Sequence, residues 1–339
     1  IAGPIVQNAP MRLRIPLLFA VLALALPAVA SAGTYCVGSP AGCVGTNYTA
    51  GQLQTALNDA ATSNVANSMQ LGAGTYTGAF TYQATTPGNL LTISGAGAGQ
   101  TILTTATNFY ALTVGGSADN VVSAMTLRRT DGINNGGLLL ESGGSAHDLA
   151  IESTAAGTGP RAAYLIGNGT TLSDSTVTVA GGDTIGLDFQ GNGVARNVAI
   201  TSSEAGGSYA GARVLSPGTT PLLDRVTIRN FLYGAGADAG TLHARDTLID
   251  VGTIQNADAV HIANYNAGSA SLGAQLERVT ILGSGTGQHG VMLYSDDAGE
   301  VLTASIDETL VMMSGGSSRP LTCQQVSPGS ATVTLTRSA

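Results

Sequence analysis

Tyr164, Asp188, Arg213, Asp238 and His261 bring together the side chains that acid–base chemistry needs, at intervals of 24, 25, 25 and 23 residues. Carboxylates hold cations or sugar hydroxyls, and a guanidinium pairs with a carboxylate. An imidazole takes and gives protons near neutrality without a perturbed environment. On that basis Arg213, His261 and Asp238 are the candidate catalytic residues. His261 would transfer protons, and Arg213 would recognise a carboxylate or act as base. Tyr164, Asp188 and Tyr294 are the candidate substrate-binding residues. No metal ligands are assigned, because Asp188 and Asp238, two repeats apart, would stand roughly 9–10 Å from each other with Arg213 between them. The bland alternative for the row is an opposite-charge ladder on a solvent-facing sheet, worth some tenths of a kcal/mol per pair.

These residues are neighbours only if the chain repeats. Seven stretches share one pattern, a small residue followed by apolar–X–apolar, with X at Leu139, Tyr164, Asp188, Arg213, Asp238, His261 and Met292. The flanking pairs (Leu138/Leu140, Ala163/Leu165, Leu187/Phe189, Ala212/Val214, Ala237/Ala239, Val260/Ile262 and Val291/Leu293) suit an interior. Strand side chains alternate, so the flanks are expected to point inward and each X outward. A fixed period of this length marks a stacked solenoid. A second series, Leu127, Ile151, Val177, Ile200, Ile228, Leu248, Ile281 and Leu310, runs at the same period in Thr- and Val-rich stretches. The threonines that precede these anchors follow from β-branched preference for strands, and their neighbours are too irregular for an ice-binding array.

Composition agrees with a solenoid. The chain of 339 residues has 47 Gly, no Trp and 10% charged residues, and glycine suits tight corners between short strands. Residues 1–10 precede the start expected at Met11 and read as upstream sequence. Residues 11–32 read as a secretory signal: Arg12 and Arg14, an apolar run from Ile15 to Pro27, and small residues before Ala32. Residues 33–339 form one β-helix domain whose last segment still reads as strand, which suggests truncation at the C-terminus. Cleavage of the signal leaves 11 basic residues, all Arg, against 21 acidic ones, a balance of −10. Arginine without lysine hints at a GC-rich bacterial genome. No basic stripe is present to neutralise phosphates, so nucleic acid is excluded as a partner. Cys36 and Cys43 would close a small loop in an oxidising compartment, while Cys323 has no evident partner.

Thr49-Ala50-Gly51-Gln52 is a capping box, and Leu53, Ala56, Leu57 and Ala60 follow helical spacing. A short helix to Thr62 is expected to cover the first coil. The segments Leu71-Gly72-Ala73-Gly74-Thr75-Tyr76 and Leu91-Thr92-Ile93-Ser94-Gly95-Ala96-Gly97 then resemble the opening coils of the pectate lyase-like right-handed β-helix superfamily. The motif resemblance covers about Thr49 to Thr104, and the remainder matches by coil period. It implies an all-β, single-stranded right-handed parallel β-helix with a short N-terminal capping helix. It also implies an outward strand face on which Asp-held calcium and an Arg base act on acidic polysaccharides, so calcium is the cofactor this resemblance admits.

Asn256-Ala257-Asp258 and Gly287-Gln288-His289-Gly290 faintly resemble two polygalacturonase motifs, but the intervening Asp-Asp pair is absent and Asp296-Asp297 comes in the wrong order. Asp258 and His289 are therefore expected in solvated corners beside the row. Insertions at Asn264 to Leu272 and Asp296 to Ala304 would wall one end of it. The leading reading is a secreted or cell-surface protein that binds an acidic polysaccharide or cell-surface glycan and, if an enzyme, acts as a lyase rather than a glycoside hydrolase. The rival is a non-catalytic structural or adhesive surface solenoid, because fold does not fix function.

Overall fold

The computed structural model describes residues 32–86, 88–117, 119–131, 135–154, 159–263, 271–295, 300–325 and 330–339. The signal sequence expected over residues 11–32, apart from Ala32, and the upstream residues 1–10 lie outside this set, as does most of the two insertions. Within the compact unit Ala32–Ala339 the chain winds through short strands that pair in parallel with the equivalent strands of the next coil.

Ten described strands stack into one front sheet: Phe80–Gln83, Leu112–Gly115, Leu138–Glu141, Arg161–Ile166, Ile185–Gln190, Ser208–Val214, Phe231–Ala237, Asp258–Ala263, His289–Ser295 and Arg319–Gln325. Their order in the sheet is their order in the chain, so each coil adds one rung. The remaining strands of each coil join a second, larger sheet.

The flanking residues read from the sequence are all buried, and all but Ala239 belong to one core that runs along the stack. Each rung therefore contributes through apolar burial, roughly 1.5–3 kcal/mol for a large side chain such as Leu187 or Phe189. The 3₁₀ turn Ala50–Gln52 and the helix Leu53–Thr62 place Leu53, Ala56, Leu57 and Ala60 over the first coil. The Thr49 N–H donates to Gln52 Oε1 at 3.0 Å, as the capping box requires. Cys36 and Cys43 form a disulfide, and Cys323 is free and exposed.

Register corrects both series in detail. In the front sheet Leu139 pairs with Tyr164, Tyr164 with Asp188, Asp188 with Arg213, Arg213 with Gly236, Gly236 with His261, and His261 with Met292. Gly236, not Asp238, holds the fifth place. The apolar pattern around 238 had matched equally well because a shift of two residues preserves strand alternation. In the second series Ile228 pairs with Ile249 and Ile281 with Val311. Leu248 and Leu310 instead fall one place early, in the threonine column, and interrupt it.

Glycine serves turns such as Gly116, Gly167 and Gly287, with φ of +71° to +86°, but one corner departs from that expectation. Asp148, Asp174, Asn197, Arg225, Asp246, Arg278 and Glu308 occupy one corner column with φ between +47° and +55°. Asp and Asn tolerate this left-handed region through local polar contacts. Here the column is also tied along the stack, with Asn197 Nδ2 donating to Asp174 at 2.9 Å and Arg278 Nε to Asp246 at 2.6 Å.

A second column of small residues precedes the row by two positions: Gly137, Ala162, Gly186, Gly211, Gly234, Ala259 and Gly290. A Cβ on Gly211 would lie 2.3 Å from Ile228 Cγ2 and 2.5 Å from the Gly234 carbonyl oxygen, and Gly186 and Gly234 meet Ile200 and Ile249 in the same way. This is the seam where the front sheet closes on the second sheet. Gly211→Ala should cost about 1–3 kcal/mol by overpacking, whereas Gly206→Ala, with nothing within 4 Å, should be neutral. Urea unfolding midpoints of the two variants test this.

Candidate functional site

The seam explains which side chains meet. The residue two before each X and the one immediately before it both point inward, so alternation breaks there and the residue three before X faces outward like X itself. At these breaks the ladder skips the small residue: Arg161 pairs with Ile185, Tyr233 with Asp258, and Asp258 with His289, while Ala163 pairs with Leu187, and Val260 with Val291. Two outward columns thus run side by side. The second contains Tyr110, Arg161, Tyr233, Asp258, His289 and Arg319, which strict alternation from the row hides.

The row is in single file as expected, but it is not solvent-facing. Asp188 is fully buried and His261 is 7% exposed, because long neighbours from the second column cover them. The Asp188 carboxylate accepts from Arg161 Nε and from Arg213, whose Nη2 lies 2.9 Å from Oδ2. Arg213 Nη1 reaches on to Asp238 Oδ2 at 3.3 Å. Asp238 has therefore left the row but remains in the site, just past the end of Phe231–Ala237.

Arg161 stacks over the Tyr164 ring, 4.6 Å from its centroid, and the Tyr164 hydroxyl donates to Gln190. Tyr209 meets Tyr233 edge-on at 5.2 Å, and Tyr233 lies 4.3 Å from the His261 ring. A hollow of about 310 Å³ beside Arg213 is lined by Tyr209, Ile185, Asp183 and Gly159. Tyr294 is half-buried two places beyond Met292, with Ala263 and Gln324 as register neighbours.

Asp258 and His289 are not solvated corner residues. Asp258 opens the strand Asp258–Ala263 and is 6% exposed. Its two oxygens accept from two imidazoles, His261 Nδ1 at 2.6 Å and His289 Nδ1 at 2.7 Å. An ionised carboxylate has no proton to give, so a ring hydrogen-bonded to it donates through Nδ1. An imidazole oriented in this way by a carboxylate is equipped to accept a proton.

Burial sets the acidity of this patch. Burial pushes Asp238 up to about 6, against the Arg213 charge, with the nearby Asp188 charge raising it further. Arg213 is held above its usual range. Burial alone would lower it, but the charge and hydrogen bonds of Asp188 outweigh that. Burial likewise raises Tyr164 and Tyr209. Calcium does not fit this donor set. Both Asp188 oxygens are engaged by guanidiniums, and among the described residues no group of three or more His, Cys, Asp or Glu is arranged to hold a metal ion.

No family model and no curated protein matches the sequence. Among solved structures, pectate lyase Pel9A superposes with a TM-score of 0.51 over 87% of this chain and 80% of that one, at 10% identity. The fold is the pectate lyase-like parallel β-helix. An alginate lyase from Paenibacillus sp. str. FPU-7 matches with a TM-score of 0.33 at 14% identity, covering 88% of this chain and 99% of that one. The A-module of the mannuronan C-5 epimerase AlgE6 of Azotobacter vinelandii also gives 0.33, at 12% identity, covering 82% and 94%.

Two stability effects follow from the buried charges. Asp188→Asn removes the carboxylate that Arg161 pairs with and leaves Arg213 only its longer contact to Asp238, and should cost about 3 kcal/mol. The Asp238 carboxyl binds its proton more tightly folded, at about 6, than unfolded, at about 3.9. It therefore favours the folded state below about pH 4, and that contribution is lost as pH rises to about 6. Relative to Asp238→Asn, the wild-type chain should lose up to about 3 kcal/mol over that interval, measurable as diverging urea midpoints.

Proposed function

We propose that this protein binds an acidic polysaccharide along the two outward columns and cleaves it by β-elimination. The observation that carries this reading is the pairing of an Asp-oriented imidazole, His261 on Asp258, with a neighbouring carboxyl, Asp238, that keeps its proton to about pH 6. Asp238 lies beside the Arg213 guanidinium, in a chain whose net charge is −8. Pectate lyase Pel9A has the same fold, which agrees with this reading without establishing it.

Elimination from a uronate needs its carboxylate neutralised, a base at the C5 proton and an acid for the leaving oxygen. The partly exposed edges of Arg161 and Arg213 supply positive charge for the carboxylate. His261 Nε2 takes the C5 proton, the C–H electron pair forms the C4–C5 double bond, and the C4–O bond breaks. Protonated Asp238 returns a proton to the departing oxygen. Arg213 is not the base here: its raised pKa and its pairing with Asp188 and Asp238 keep it charged. Tyr164, Tyr209 and Tyr233 offer ring faces and edges for sugar packing.

Export through the signal read at Met11–Ala32 would place the chain outside the cell, where the Cys36–Cys43 disulfide persists. Among the described residues no helix is long and apolar enough to cross a membrane. A second reading, a non-catalytic adhesive solenoid, is favoured by one observation: Arg161, Asp188, Arg213 and Asp238 largely satisfy one another.

Wild-type protein assayed on a panel of uronate polymers should release unsaturated product absorbing near 235 nm, with a rate that falls above about pH 6 as Asp238 ionises. His261→Ala should lower the rate about 10²–10⁴-fold while leaving polymer binding intact. Absence of unsaturated product on every polymer, with binding retained, would select the adhesive reading.

A further inference from the structure

The strand Val121–Arg129 ends in an arginine with no solvent exposure. Its Nε donates to the main-chain oxygen of Asp131 at 2.8 Å, yet both terminal nitrogens, Nη1 and Nη2, are buried with no acceptor. The hydroxyl of Tyr110, in the second outward column, is also buried and unmatched. The two groups are close enough to influence each other's charge, but no hydrogen bond joins them. Arg161 lies close enough to the same hydroxyl to act on it.

Buried polar groups in folded proteins are almost always paired, and an unpaired buried cation is among the costliest exceptions. Burial lowers the Arg129 pKa, with partial compensation from Tyr110 and Asp131, but a guanidinium remains charged at any ordinary pH. Asp131 meets this side chain through its main-chain oxygen and offsets part of its charge. Burial raises the Tyr110 hydroxyl, so it is a neutral donor and not the missing anion. Two buried groups able to donate thus lack acceptors, and one of them carries a positive charge. A water molecule would satisfy the hydrogen bonds but leave the charge uncompensated.

We propose that a small monovalent anion, of halide or formate size, is held between the Arg129 guanidinium and the Tyr110 hydroxyl. The anion accepts from both, neutralises the buried charge and fixes Tyr110 at the end of the second column. The site is separate from the proton-transfer pair and does not depend on the chain being an enzyme.

Bromide is the probe. Thermal unfolding is followed at constant ionic strength while bromide replaces gluconate, which is too large to enter, and bromide-soaked crystals are examined for anomalous scattering. The expected result is a saturable rise in Tm and an anomalous peak between Arg129 and Tyr110. Arg129→Met, which keeps the side-chain volume, should abolish both, whereas the exposed Arg229→Met should preserve them. Tyr110→Phe, a milder change should Arg129→Met fail to fold, should weaken bromide about tenfold, the loss of one hydrogen bond. A Tm indifferent to bromide, a response unchanged in Tyr110→Phe, or a bromide-free site holding only water would overturn the proposal.

Discussion

Parallel pairing of each coil with the next is the constraint from which the other features follow. It holds successive front strands at a spacing of about 4.8 Å and makes residues some 25 positions apart lateral neighbours. It also demands a corner that every coil can turn in the same way. Non-glycine residues from Asp148 to Glu308 meet that demand in the left-handed region, and polar contacts between coils tie them together. The seam of small residues meets a different demand, that the front sheet close onto the Ile200, Ile228 and Ile249 side chains without overlap.

The same seam creates the candidate site. Two consecutive inward residues shift the alternation by one, so a second outward column appears beside the row. The long side chains of that column, Arg161, Tyr233, Asp258 and His289, fold over the row and take much of it out of water. Burial then decides the chemistry. A carboxylate such as Asp188 is retained in this setting because guanidiniums from two coils accept its charge. Asp238, gripped through one oxygen by Arg213 alone, becomes a weaker acid. The neighbouring His261 is oriented through Nδ1 by Asp258. The ion ladder at Asp188 thus gives way, further along the stack, to the Asp258 carboxylate shared by two imidazoles.

Much of this was legible in the residue pattern. The apolar flanks of each X, the capping box at Thr49 and Gln52, the Cys36–Cys43 loop and the single file from Leu139 to Arg213 all appear as read, because each depends on local spacing or strict periodicity. Asp238 was misplaced because Gly236 offers no side chain to mark the row, and a shift of two residues leaves every flank apolar. Leu248 and Leu310 were misplaced by one because both neighbouring positions are apolar. Asp258 and His289 were read as corner residues because alternation counted from His261 and Met292 puts a residue three positions earlier on the inner face. The recurring small residue just before each apolar–X–apolar triplet was the signal that this count would fail.

The sequence by itself determined the architecture: a period, an interior and a cap, all set by side-chain size and polarity along the chain. The tertiary structure alone decided which charges meet and how deeply they are covered. That depends on where the backbone bends at the seam and on the reach of side chains between coils. Neither is encoded at any single position. The acidity of Asp238 and the sharing of Asp258 between two histidines are properties of packing, since they arise from desolvation and, His261 on Asp258 apart, from partners on other coils.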